Sequence, residues 1–305
     1  MDVIEVAGLR KEYPRLRGGR TVALDGLDLS VPEGGVFGFL GPNGAGKTTT
    51  IRCLLGLVRA SGGRGRLLGA DVPGGLPAVV GRVGSIVETP AAYPRFSGRT
   101  NLALLAKVAG VGRSRVREVL EQVGLAERAD DLVRTYSFGM KQRLGIGAAL
   151  LKDPELLILD EPANGLDPAG IVEVRELIRR LGAEGRTVFI SSHILTEVQQ
   201  VADRVAVLSR GRAVASGPVA EVLSGGRAAE LTVRVADVAA GLRALEQAAI
   251  PTREHDGRLF VQLPAERASD VTRALAERGL YLSELRVEEV DLETVFLELT
   301  EGEAK

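Results

Sequence analysis

The stretch that decides the fold reads Gly41-Pro42-Asn43-Gly44-Ala45-Gly46-Lys47-Thr48-Thr49. Its first eight residues fit the pattern G-x-x-x-x-G-K-[ST], in which backbone N–H groups turn inward around phosphate oxygens. An apolar run at 36–40 precedes it, and a helical pattern at 47–58 follows, so the loop lies between a strand and a helix. The helix N-terminus adds partial positive charge, Lys47 can neutralise the β- and γ-phosphates, and the Thr48 hydroxyl can bind Mg²⁺. We therefore predict a nucleoside triphosphate site with Mg²⁺ at this loop.

Four more short apolar runs indicate buried strands: 83–87, 156–159, 187–190 and 205–208. They show no alternation of polar and apolar residues, which is typical of strands covered on both faces. Helical patterns lie between them, including one that begins near Pro168, so we predict an α/β fold with a mostly parallel sheet. The interval from about 90 to 152 carries helical patterns alone and is interpreted as a helical insertion between two strands.

Two acidic residues, Asp160 and Glu161, follow the run at 156–159. Ligands of open α/β sheets bind at the carboxyl ends of the strands. Asp160 is suited to hold Mg²⁺, and Glu161 to orient and polarise an attacking water. The alternative is a pair of solvated acids that merely end a strand.

Composition and charge exclude several classes of protein. The 305 residues carry one cysteine, which rules out an internal disulfide, and a net charge of −1 with 4% aromatic residues and no Trp disfavours a general nucleic-acid binder. No apolar run approaches the roughly 18 residues of a membrane span, and the first residues lack a basic, apolar secretory signal. We therefore expect a cytoplasmic protein, in which any membrane-spanning part is supplied by another chain.

A second domain is predicted at 228–305, after a boundary near Ser224-Gly225-Gly226-Arg227. It carries nine Lys and Arg against 16 Asp and Glu, a net charge of −7, so the rest of the chain is net positive. The pattern is strand, helix, two extended runs joined at Asp256-Gly257, helix and strand, with a weak strand at 250–255. This βαββαβ order favours a small ferredoxin-like α+β module, followed by a last helix at 291–300.

A second motif makes a family resemblance specific. Tyr136-Ser137-Phe138-Gly139-Met140-Lys141-Gln142-Arg143 lies shortly before the strand that carries the acids. Together with the phosphate loop, it resembles the signature of ABC transporter ATPase subunits, usually Leu-Ser-Gly-Gly-Gln, with Ser137 and Gly139 matching. Its departures, and the C-terminal module, resemble exporters that confer resistance to drugs and bacteriocins, of the bacitracin and daunorubicin kind. The resemblance covers about 1–225 and implies a P-loop NTPase fold with a helical subdomain at about 90–152.

The resemblance also implies roles for single residues. Ser137, Phe138, Gly139 and Met140 would contact the γ-phosphate held by a second copy, so that two copies enclose two ATP molecules. Ser137 also suits the N-cap of the helix that follows.

Three further positions match the family by order. Tyr13 resembles the aromatic residue that stacks on adenine, His193 the switch histidine at the γ-phosphate, and Asp167 the residue that crosses the dimer interface. The alternatives are a packing tyrosine, a surface histidine, and an Asp167 that caps the helix before Pro168, which we expect in addition to the interface role.

Glu88 is an informative departure, because the family usually has a glutamine after this strand that reaches Mg²⁺ and the attacking water. A carboxylate can also bind Mg²⁺, so Glu88 is both a candidate metal ligand and a candidate catalytic residue, and the alternative is a neutral change. The aromatic residues in the following segment, Tyr93 and Phe96, suit the groove that in the family receives a helix of the membrane partner.

The function these observations favour is an ATP-binding and ATP-hydrolysing exporter subunit. Acting as a dimer at the cytoplasmic face of the membrane, it would drive efflux of an antibiotic or peptide through a separate permease, without nucleic acid. An ABC ATPase of DNA repair would need a longer insertion between Lys47 and Ser137, and one of translation usually has two ATPase domains. A non-hydrolysing binding module would not need Glu161 and His193.

Overall fold

The computed structural model describes residues 1–15, 18–87, 92–224, 230–287 and 292. These residues form two compact units divided between Val219 and Ala220. Each unit is described by itself below.

The larger unit contains a six-stranded sheet with the strand order β10-β9-β3-β8-β7-β6. All neighbouring pairs are parallel except β9 and β10, which form an antiparallel edge. Its strands are β3 Gly35–Leu40, β6 Val83–Ile86, β7 Leu156–Asp160, β8 Thr187–Ser192, β9 Arg204–Ser209 and β10 Arg212–Pro218. Every residue of β7 and β8 is buried, which agrees with the unbroken apolar runs of the sequence and confirms the predicted α/β class.

A second sheet, which the sequence analysis did not predict, is antiparallel with the order β2-β1-β4-β5. Its strands are β1 Asp2–Pro14, β2 Arg20–Pro32, β4 Gly62–Leu67 and β5 Ala70–Val72. Helix α1 contributes Ile51, Cys53 and Leu54 to an apolar cluster that also contains residues of both sheets. Within that cluster, the rings of Phe37 and Phe189 stack with centroids 5.8 Å apart.

The helices of this unit fill the connections between strands, as crossover connections of a parallel sheet require. They are α1 Lys47–Leu54, α2 Leu76–Val79, α3 Gly98–Ala109, α4 Arg113–Gln122, α5 Phe138–Leu150, α6 Pro168–Ala183 and α7 Leu195–Gln199. The helical pattern predicted that α1 extends to residue 58, which is wrong: the helix ends at Leu54, and Gly56 follows with a φ of 68°. Helices α3, α4 and α5 all lie in the interval that was interpreted as helical. Within the described ranges, no helix has the length and apolarity to cross a bilayer.

The smaller unit is a four-stranded antiparallel sheet with two helices, and α8 Val219–Ser224 lies where the units divide. Its elements are β11 Leu231–Val235, α9 Val238–Gln247, β12 Thr252–His255, β13 Arg258–Val261, α10 Ala268–Ala276 and β14 Leu282–Val287. The sheet order β12-β13-β11-β14 with βαββαβ connectivity is that of a ferredoxin-like module. The helix predicted at 291–300 lies outside the described residues apart from Leu292.

Candidate functional site

Three neighbouring parallel strands, β3, β8 and β7, bring the predicted site residues together at their carboxyl ends. Leu40, at the end of β3, is paired with Ser192, and Asp160, at the end of β7, is paired with Ser191. The glycine-rich loop therefore leaves the sheet beside His193 on one side, with Glu161 one strand further. This is the edge at which open α/β sheets bind ligands.

The glycine-rich loop is packed too tightly for side chains at two of its positions. A Cβ atom on Gly41 would lie 2.4 Å from the Leu208 carbonyl oxygen, and one on Gly46 would lie 2.7 Å from that of Ala23. Gly46 also has a φ of 113°, which side chains rarely tolerate, and it is the residue directly before α1. The glycines therefore let the backbone curl directly into the N-terminus of α1.

Lys47 is the charged centre of the site and is only 5% exposed. Its Nζ donates to the carbonyl oxygens of Gly41, at 2.7 Å, and Pro42, at 3.3 Å. It also forms an ion pair with Oε1 of Glu161 at 3.2 Å. The ammonium group is thus held between two carbonyl oxygens of the loop and one carboxylate oxygen.

Glu161 connects Lys47 to His193. Its second oxygen, Oε2, lies 2.8 Å from His193 Nδ1. The Glu161 carboxylate therefore contacts the lysine through one oxygen and the imidazole through the other. Its backbone has a φ of 50°, an uncommon value for a residue with a side chain. Such unfavourable conformations persist where surrounding contacts hold them, and they concentrate at functional sites.

Asp160 is 5% exposed, and its Oδ1 accepts a hydrogen bond from the Ser191 hydroxyl. The Glu161 backbone N–H donates to two oxygens of Ser191. One is the same hydroxyl oxygen, at 3.0 Å, and the other is the carbonyl oxygen, at 3.2 Å. The buried carboxylate is therefore hydrogen-bonded, as buried charged groups need to be. Sequence reasoning did not single out Ser191, because nothing but the pairing of β7 with β8 brings it to the acids.

A cavity of about 440 Å³ opens over these groups. It is lined by Ala23, Pro42, Asn43, Gly44, Gly46, Lys47, Thr48, Thr49, Glu161, Asn164 and His193. Ala23 and Asn164 were missed, and their residue types alone give no signal for a site. The cavity is thus lined by the glycine-rich loop and by a carboxylate in contact with an imidazole.

A further acid, Glu197, lies four residues after His193, and burial raises the pKa of its carboxyl. The charge of Glu161 adds to this rise, while His193 and Arg175 oppose it. Glu197 lines a small cavity of about 30 Å³ that is also bordered by Ser191 and is separate from the cavity over Lys47.

The signature residues, Ser137 to Met140, do not line the cavity over Lys47. Ser137 is the N-cap of α5, and its Oγ accepts from the Met140 N–H at 3.2 Å. Phe138 is 45% exposed, and Gly139 is buried against Gly170 at the start of α6.

The remaining candidates are placed as follows. Asp167 is the N-cap of α6, with its Oδ1 accepting from the Gly170 N–H at 2.9 Å, so the predicted capping role is confirmed. Tyr13 lies on β1, half-buried, with Lys11 Nζ 4.8 Å from the centre of its ring, and it does not line the cavity. Glu88 lies outside the described residues.

Comparisons with known proteins agree with this geometry. A family model described as ABC transporter matches residues 24–164. The chain is 38% identical to the bacitracin transport ATP-binding protein BcrA of Enterococcus faecalis, over 98% of this chain and 97% of that protein. It is 39% identical to the daunorubicin resistance ATP-binding protein DrrA3 of Streptomyces coeruleorubidus, over 97% of this chain and 95% of that protein.

The fold is also similar to a solved structure, the ADP conformation of MJ1267, an ATP-binding cassette of an ABC transporter. The TM-score is 0.65 at 26% identity, covering 73% of this chain and 95% of that one. The resemblance inferred from the sequence is therefore confirmed. The chain belongs to the ABC transporter family and is an ATP-binding, ATP-hydrolysing subunit of that family.

Proposed function

We propose that two copies of this chain enclose two ATP molecules, and that their closing and reopening drives an exporter. The observation that carries the proposal is the separation of two anion-binding features within one chain. The glycine-rich loop lines the cavity over Lys47. The N-terminus of α5, which Ser137 caps, lies outside that cavity, and Ser137 is exposed. A helix N-terminus attracts anions, so a second copy can present its own α5 to the γ-phosphate.

The residues at the site also suit Mg²⁺, although no three His, Cys, Asp or Glu side chains in the described ranges cluster as metal ligands. A hydroxyl at Thr48 and a buried carboxylate at Asp160 are hard oxygen donors of the kind this ion prefers, and Mg²⁺ usually binds through few protein ligands together with phosphates. Thr48 and Asp160 would hold it, with Glu88 as a further ligand. When bound, the ion would neutralise charge on the β- and γ-phosphates.

The side chains then divide the work of hydrolysis. Lys47 binds the phosphates, and their oxygens compete with Glu161 for its ammonium group, which is 3.2 Å from Oε1. Glu161 released from Lys47 can orient the attacking water, and His193, 2.8 Å from Oε2, holds the carboxylate and faces the γ-phosphate. Tyr13 would stack on adenine and Asp167 would face the second copy.

A separate membrane permease is the second proposed partner, with the chain acting peripherally at the cytoplasmic face. Tyr93 and Phe96 are 64% and 44% exposed, with ring centroids 5.6 Å apart. Leu104 and Leu105 on α3 are also partly exposed, and such apolar surface marks interaction sites. By analogy with the bacitracin and daunorubicin proteins, the cargo would be an antibiotic or a peptide.

The decisive experiment replaces the water-orienting carboxylate. Glu161→Gln should lower ATP turnover by at least about 100-fold and accumulate an ATP-bound dimer in size-exclusion chromatography with Mg²⁺ and ATP. Glu197→Gln is the matched control, because Glu197 is a nearby acid that does not contact Lys47. This variant should keep most of the turnover. Unchanged turnover in Glu161→Gln, or no dimer, would contradict the mechanism. Export is tested by expressing the chain with its permease in a sensitive host and measuring resistance to peptide antibiotics and anthracyclines.

A further inference from the structure

One buried hydroxyl contacts both acidic residues of the site. Ser191 is fully buried on β8, and its Oγ is hydrogen-bonded to the Asp160 carboxylate and to the Glu161 backbone N–H. We propose that Ser191 is a positioning residue that sets the metal-binding and the water-orienting carboxylates in a fixed relation to each other. The proposal rests on the roles of Asp160 and Glu161 stated above.

The direction of both hydrogen bonds is determined by chemistry. An ionised carboxylate only accepts and a backbone N–H only donates, so the single hydroxyl proton of Ser191 points at Asp160 and a lone pair faces Glu161. The hydroxyl therefore has one orientation in which both partners are satisfied. A side chain without it leaves the buried carboxylate short of one donor.

For Asp160, the hydroxyl donates to one oxygen of the carboxylate. Oδ1 accepts from Ser191, which restricts rotation of the carboxylate, and we assign Oδ2 to Mg²⁺ or its bound water. The donor comes from the residue directly paired with Asp160 across the parallel strands, so it is held by the sheet itself. Partners of metal-binding carboxylates typically change metal affinity or activity by 10- to 100-fold when they are lost.

For Glu161, Ser191 supplies two acceptors to one N–H, Oγ at 3.0 Å and the carbonyl oxygen at 3.2 Å. These bonds anchor the backbone at its unfavourable φ of 50°, from which the side chain reaches Lys47 and His193. Loss of the hydroxyl removes the shorter of the two and weakens the hold on this conformation.

Another buried hydroxyl on the same strand, that of Thr187, has a partner away from the site and provides a control. Thr187, at the opposite end of β8, is 1% exposed, and its Oγ1 accepts from the Gly34 N–H at 2.7 Å, away from the site. Thr187→Val removes a buried hydroxyl from the same strand without touching the acids. Ser191→Thr keeps a hydroxyl at the position of Ser191 and is the conservative variant.

The test compares nucleotide binding with and without Mg²⁺, using a fluorescent ATP analogue on the full-length chain. In EDTA, Ser191→Ala should bind the analogue within about twofold of wild type, because Lys47 and the loop are intact. The Mg²⁺ concentration for half-maximal binding enhancement should rise about tenfold, and kcat should fall by a similar factor with little change in the KM for Mg-ATP. Ser191→Thr should restore both, and Thr187→Val should resemble wild type.

The outcomes separate this inference from the proposed function. A wild-type protein with no Mg²⁺-dependent binding would contradict the proposed function itself. A normal wild type with a Ser191→Ala variant of unchanged Mg²⁺ dependence, or a Thr187→Val variant showing the same defect, would overturn the positioning role alone. If Ser191→Ala does not fold, Ser191→Cys places a slightly larger group with a weaker donor at the same position, and the same increase in Mg²⁺ requirement is expected of it.

Discussion

The two compact units bury different kinds of groups. Among the described residues, the larger unit buries a lysine, an aspartate, an asparagine, a glutamine and five serines and threonines, whereas the smaller unit buries one such polar residue, Thr232. The core of the smaller unit consists of residues such as Leu231, Leu245, Leu259 and Leu275, each with no exposed surface. Burial of polar groups costs free energy unless each is paired, and burial of apolar groups stabilises a fold.

The buried polar groups that cost free energy are concentrated at the candidate site of the larger unit. Lys47, Asp160 and Ser191 are all buried at the carboxyl ends of β3, β7 and β8, and each is satisfied by named partners. The smaller unit carries no such cluster in its described part, and its sequence forms a compact apolar core. We therefore expect opposite signatures for two groups of substitutions: lost activity with retained stability at the buried site residues of the larger unit, and lost stability with retained activity in the apolar core of the smaller unit.

The largest effect should come from Lys47→Ala. Removal of the ammonium group would take away the charge that we propose binds the phosphates, so hydrolysis should fall at least about 100-fold, equivalent to about 2.7 kcal/mol in transition-state stabilisation. Thermal unfolding should change little, because Glu161, the ion-pair partner left behind, is partly exposed and keeps its contact with His193. A coupled ATPase assay and a melting curve followed by circular dichroism measure both. Lys152→Ala, at an exposed lysine, is the control, and a Lys47→Ala variant within tenfold of wild type would break the comparison.

Leu245→Ala tests the other half of the comparison. This side chain is fully buried in α9, so its truncation should lower the free energy of unfolding by about 2–5 kcal/mol. ATP turnover per folded molecule should stay the same. Tyr281→Ala, at a residue that is 79% exposed, should shift the free energy of unfolding by no more than about 0.5 kcal/mol in urea denaturation. An active but destabilised Leu245→Ala sharpens the distinction, whereas a stable variant with reduced turnover contradicts it.

The two histidines of the chain fall one in each unit and allow a matched pair. His193→Ala should lower kcat about 10- to 100-fold with less than threefold change in ATP affinity, because His193 contacts Glu161, the residue that we propose orients the attacking water. His255→Ala, on the exposed strand β12, should leave both values unchanged. Steady-state kinetics and nucleotide titration decide. Equal losses in the two variants would show that His193 acts through general stability.

Many of the strands and helices of both units could be predicted from the sequence. The parallel strands and the loop at 41–48 carry strong local signals, and the predicted order of strand, helix, two extended runs, helix and strand in the second domain is the order that the structure has. The antiparallel sheet was missed, although Leu27, Leu29 and Val31 alternate with polar residues in β2 as a half-exposed strand requires. Repeated register shifts between β1 and β2 break that alternation over the rest of the hairpin.

The internal contacts of the site could not be predicted for a different reason. The ion pair between Lys47 and Glu161 and the hydrogen bond from Ser191 to Asp160 depend on the lateral order of β3, β8 and β7. No local pattern encodes that order, which is settled by packing across the whole sheet. The end of α1 was misjudged for a related reason, since apolar residues continue to Val58 although the chain has already turned at Gly56.

The smallest effect is expected at Tyr13, which belongs to the larger unit but lies outside the cavity lining. Lys11 Nζ covers one face of its ring at 4.8 Å and is itself anchored to the Arg59 carbonyl oxygen at 2.8 Å. With one face so occupied, adenine can stack on the other, and such a contact is worth about 1 kcal/mol at the low end of base–aromatic stacking, or about fivefold in affinity. Tyr13→Ala should weaken ATP binding by that factor and leave kcat unchanged, and Tyr13→Phe should bind as wild type. Titration with ATP and with an inorganic triphosphate separates the two interpretations, because a stacking residue affects the first ligand alone, whereas a packing residue that shapes β1 affects both.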